Sequence, residues 1–118
     1  MEEQVLLSAT QKLRGGEPLP GARRLRLDHG ALAALLVPPP TASLVAAIRA
    51  ILKVHNPIEE DPGGIYDQCE KLAGAEAEQI LHQLQNFPEV EVLPHVDGSF
   101  VMEATRRALK RAGYDFSV

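Results

Sequence analysis

The chain has 118 residues, of which 45% are hydrophobic, 24% charged and 4% aromatic, with no tryptophan. That length suits one domain with a core and is too short for two ordinary ones; the composition excludes an intrinsically disordered chain and leaves the core to Leu, Ile, Val and Ala, which favours helices. The net charge of −4 conceals a polarity: seven basic and four acidic groups over 1–53, one and eleven over 54–105, four and one over 106–118.

No apolar run approaches the ~20 residues that span a bilayer, and the start MEEQVLLSATQKLRGG is acidic where a secretory signal would be basic. The expectation is a cytoplasmic protein. Cys69 is the one cysteine and has no partner for an internal disulfide, which fits a reducing compartment.

In chain order, Val5, Leu6, Ala9 and Leu13 fall at helical spacing behind Glu2 and Glu3, and Gly15 and Gly16 close this first helix. The run GEPLPGARRLRL interrupts with two prolines, after which Arg24, Leu25, Arg26 and Leu27 alternate as a short edge strand would. Asp28 is placed to cap a helix over 29–37 with the stripe Ala31, Leu32, Leu35 and Leu36. Pro38, Pro39 and Pro40 end it and mark off residues 1–40 as an N-terminal helical arm.

From Thr41 or Ser43 as cap, Leu44, Val45, Ile48, Ile51, Leu52 and His55 form one wide helical face, and HNPIEEDPGG reads as a loop. Ile65, Cys69 and Leu72 mark a two-turn helix that ends at Gly74; Ala77, Ile80, Leu81, Leu84 and Phe87 make the next stripe, ended by Pro88. Val90 and Val92 then alternate with Glu89 and Glu91 as a strand with one wet face, Asp97 and Gly98 supply a hairpin turn, and Ser99–Met102 a returning strand. A last helix from about Glu103 to Ala112 turns Ala104, Ala108 and Leu109 inward and Arg106, Arg107, Lys110 and Arg111 to solvent.

The order of elements over 41–112 is helix, loop, helix, tight break, helix, strand, turn, strand, helix. It resembles the winged helix-turn-helix superfamily with the extra C-terminal helix through which many members dimerise. The resemblance implies an α+β, mainly helical fold: a three-helix core with a small antiparallel β-hairpin, flanked by N- and C-terminal helices, in a single domain over 1–118. It also implies a recognition helix at 75–87 and a wing at 94–99, with Glu76, Gln79, His82, Gln83 and Asn86 facing DNA.

The chemistry of that surface argues for a different partner. Affinity for DNA comes largely from neutralised phosphates, and residues 75–100 hold no lysine or arginine. The expectation is therefore a non-enzymatic regulatory or adaptor protein that meets a basic protein surface through Glu76, Glu78, Gln79, His82 and Gln83. The alternative is a dimeric DNA-binding regulator that uses Arg23, Arg24, Arg26, Arg106, Arg107, Lys110 and Arg111 on phosphates. A structural reading accompanies each: Ile80, Leu81, Leu84 and Phe87 as core, exposed acids as a solvated face, and the C-terminal cations as partners of the helix dipole and of the acid block.

No catalytic or metal set is apparent, and no cofactor is expected. His29, His55, His82 and His95 lie 26, 27 and 13 residues apart, with no pair at helical ligand spacing. His55 reads as a packed or capping histidine and Cys69 as a small buried hydrophobe. The run Glu59, Glu60 and Asp61 lacks the periodicity of a calcium loop, and the glycine pairs lack the context of a phosphate-binding loop.

Overall fold

The computed structural model describes all 118 residues and is 67% helix with no strand. A π-helical stretch, Glu2–Leu7, leads into α1 (Ser8–Leu13); α2 (Ala22–Leu35), α3 (Ala42–Glu60), α4 (Ile65–Ala73), α5 (Ala77–Gln85) and α6 (Ser99–Arg111) follow. No helix is long and apolar enough to cross a membrane.

The chain forms two compact units, each built from two segments: Met1–Arg23 with Asn56–Glu91, and Arg24–His55 with Val92–Val118. In the first, the N-terminal helical segment packs on α4 and α5 and buries Leu7, Leu19, Ile65, Cys69 and Ile80. Glycine is required at the turn into α4, because a Cβ on Gly64 would lie 2.7–2.9 Å from the backbone oxygens of Ile58, Asp61 and Glu59. The Tyr66 hydroxyl sits between the carboxylates of Glu2 and Glu59, at 2.6 and 2.5 Å, and so ties the N-terminus to this unit.

The second unit is a three-helix core. Ala31 and Leu35 from α2, Leu44, Ala47 and Ile51 from α3, and Leu109 and Ala112 at α6 form one buried cluster, against which Tyr114, Phe116 and Val118 of the C-terminal tail pack. Thr105 on α6 lies within hydrogen-bond distance of the Ala34 carbonyl as well as of Val101 in its own helix. His95 and Val96 bind the backbone carbonyls of Leu36 and Val37 just beyond α2.

The fold is all-helical, which corrects the α+β expectation and removes the β-hairpin and its wing. Residues 87–97 form neither helix nor strand. Val90 and Val92 are 81% and 94% exposed, so their alternation finds no surface to cover, and two strands alone are marginal in water. The intended turn instead starts a helix: Asp97 Oδ1 accepts from the Gly98 N–H, and the Gly98 carbonyl accepts from Met102 N–H. Ser99–Met102 is thus the first turn of α6, whose buried residues Val101, Thr105, Leu109 and Ala112 keep helical spacing.

Two shorter readings also change. Residues 24–27 belong to α2, where Ala22, Leu25, Asp28, Ala31 and Leu35 are all buried; the Arg-Leu repeat fits a helix of this period as well as a strand. HNPIEE is helical to Glu60 despite Pro57, since His55 and Glu59 continue the buried face of α3 at a cost of one backbone bond.

Candidate functional site

The acidic bias of the middle of the chain resolves onto one unit. Met1–Arg23 with Asn56–Glu91 carries twelve Asp and Glu against four Lys and Arg, a net of −8; Arg24–His55 with Val92–Val118 carries four against eight, a net of +4.

In the acidic unit, α5 has one buried side chain, Ile80; Ala77 and Leu81 of its stripe are exposed and Leu84 is half-buried. Two depressions flank it. One, of about 580 Å³, sets Glu76, Gln79 and Gln83 opposite Gln4, Ser8 and Lys12 of the N-terminal helical segment. The other, of about 340 Å³, is lined by Leu6, Ala73, Ala77, Leu81 and Leu84, with Glu70 as its one carboxylate. Leu81 is 53% exposed there. At 100° per residue, Glu78 projects beside Leu81 on the outer edge of this apolar groove. Cys69 lies under it, buried, and that burial pushes its thiol up.

Three of the five expected contact residues, Glu76, Gln79 and Gln83, therefore meet on one cleft. Glu78 and His82 lie outside it, both exposed. The Asn86 side chain donates to the His82 backbone carbonyl, a local bond that finishes α5.

The basic residues are less available than their number suggests. Arg24 is committed to Asp28 and lies over the Tyr114 ring at 4.9 Å. Arg106 donates to the backbone carbonyl of Val118. Arg107, Lys110 and Arg111 are exposed along α6, Arg26 on α2, and Arg23 lies in the acidic unit.

No family model matches this chain, and neither a curated protein nor a solved structure shows significant similarity to it.

A second constellation, which spacing did not announce, lies inside the basic unit. Asp28 is fully buried in the middle of α2. Its carboxylate accepts from Arg24 Nη2 at 2.5 Å, the Tyr114 hydroxyl at 2.8 Å and His55 Nδ1 at 3.0 Å. Burial alone would raise this carboxyl; the hydrogen bonds from Tyr114, Arg24 and His55 outweigh it and hold the group below its usual range. Burial, and then the bond to Asp28, push the Tyr114 phenol up. His55, 2% exposed, also meets His29 edge to face, with ring centroids 5.0 Å apart. The signal in the sequence was an acid on an otherwise apolar stripe.

Proposed function

We propose that this protein is a non-enzymatic adaptor that docks a basic, amphipathic helix of a protein partner in the apolar groove between α4 and α5. The observation that carries the reading is a groove lined by Leu6, Ala77, Leu81 and Leu84 on the unit that holds a net charge of −8. A helix laid in a groove presents anchors at i, i+3, i+4 and i+7; its apolar side would cover Leu81, and its cations would meet Glu70 and Glu78. Apolar burial supplies affinity, while the charge of the unit supplies orientation and encounter rate. The cytoplasm, with its reducing conditions, suits the unpaired Cys69.

The test is fluorescence anisotropy with a labelled 18-residue peptide that carries a leucine stripe and lysines elsewhere, beside a duplex DNA probe at two salt concentrations. Saturable peptide binding that Leu81→Asp abolishes, and that Glu78→Lys weakens, is expected. Salt-sensitive DNA binding with no peptide binding would overturn the proposal in favour of a nucleic-acid partner.

A further inference from the structure

The C-terminal tail and the last turns of α6 border a cleft of about 570 Å³ inside the basic unit. Arg106, Lys110, Tyr114, Asp115 and Phe116 line it, with the buried Leu109 as its floor. From this set we infer that the cleft binds a nucleoside phosphate, with the cations on the phosphate, the rings on the base and the carboxylate on the ribose. The inference does not depend on the groove of the acidic unit.

The backbone makes the cleft. Gly113 takes a φ of 85°, the left-handed turn that glycine allows at a helix end. Its N–H bonds the Lys110 carbonyl at 3.0 Å, and the Tyr114 N–H bonds the Leu109 carbonyl at 2.9 Å. The turn thus satisfies two of the last carbonyls of α6 and folds the tail back beside the helix. Arg106 and Lys110 stand one turn apart on the same face of α6. Arg106 gives its Nε–H and an Nη2–H to the Val118 carbonyl, which fixes the guanidinium at the cleft and leaves the rest of its N–H fork for a ligand. Lys110 is exposed and pairs with no carboxylate, Asp115 included.

The chemistry of the lining selects the ligand. The Tyr114 and Phe116 rings are stacked, with centroids 5.3 Å apart and planes 13° from parallel, and both are half-buried. Tyr114 is held by its hydroxyl on Asp28 and by Arg24 over its ring, so Phe116 rests on a fixed platform. Bases stack on such rings whatever their identity. The planar guanidinium and the ammonium match phosphate oxygens. Asp115 repels phosphate but supplies the acceptor that a ribose hydroxyl seeks. Two cations outweigh that one acid in the cleft, and the net +4 of the unit draws anions toward it. A bare phosphate would leave the rings unused, and a neutral aromatic would leave the cations unused; a nucleoside phosphate engages both.

Calorimetric titration of the full chain with AMP, in magnesium-free buffer at physiological salt, tests this. One AMP per chain is expected, with inorganic phosphate and adenosine each weaker by at least ~10-fold. Lys110→Glu, at an exposed position, should weaken AMP binding at least ~10-fold. Phe116→Leu keeps an apolar contact on the core and should cost ~5–100-fold, the worth of one stacked base. Arg107→Glu makes the same change of charge on the same helix but away from the cleft; screening should hold its effect within ~2-fold. A short oligoadenylate titrated in parallel assigns the source: tighter binding than AMP marks a single-stranded nucleic acid, weaker binding the free nucleotide. Failure to bind either one, or equal losses in Lys110→Glu and Arg107→Glu, would overturn the site.

Discussion

Asp28 is the residue on which the basic unit turns. It joins α2 to itself through Arg24, to α3 through His55 and to the C-terminal tail through Tyr114. Asp28→Ala leaves all three donors without their acceptor, and removing one member of a buried pair costs about 3–5 kcal/mol. The lower end is expected, since the Arg24 side chain is 35% exposed and solvent screens its part; urea denaturation measures it. The pH dependence follows from two signs. Asp28 is held low in the folded chain, so its contribution is complete above the unfolded carboxyl value of about 3.9 and is lost as pH falls through the folded one. Tyr114 is raised, so its contribution is complete below about 10 and is lost as pH climbs through the folded value. Stability measured across pH should fall at both ends in the wild type, with the acid limb flattened in Asp28→Asn and the alkaline limb in Tyr114→Phe. The sequence placed Asp28 at a helix start because an acid before an apolar stripe is the mark of a cap; its partners come from residues 55 and 114, which no local pattern connects to it.

At the level of elements, helices were legible wherever apolar spacing was long and uninterrupted. α4, α5 and most of α3 stand where their stripes put them. The errors fall where two periods fit one string. Arg24–Leu27 and Ser99–Met102 are too short to separate alternation from a helical repeat, and what decides them is the burial of Leu25 and Val101 on helical faces continued further along the chain. Val90 and Val92 offer a direct check. In a hairpin packed on a core one face of that strand would be covered; exposed as they are, Val92→Asp should change unfolding free energy by less than about 0.5 kcal/mol. A loss of several kcal/mol would restore the hairpin. The turn into α4 behaves oppositely. Gly64→Ala forces a methyl against three backbone carbonyls and should cost about 2 kcal/mol or more, with thermal unfolding as the readout.

Across the whole molecule, charge is divided between two compact units, −8 on one and +4 on the other. The acid block was visible as a stretch of sequence. That it joins the acidic first residues rather than the arginine-rich ones beside them was not, because the units interleave along the chain. The five residues chosen for contact also split: Glu76, Gln79 and Gln83 border a polar cleft, whereas the apolar groove is made by Leu81 and Leu84, assigned to the core in the sequence and in fact left partly exposed. Residue type suggested burial, and only the absence of a covering element in the acidic unit turns that stripe into a surface. The most direct measurement is an amide NMR titration of the full chain with the leucine–lysine peptide. Shifts confined to Leu6, Ala73, Ala77, Leu81, Leu84 and their neighbours are predicted, growing to saturation at one peptide per chain. Shifts gathered on α6, or none at all, would contradict the account.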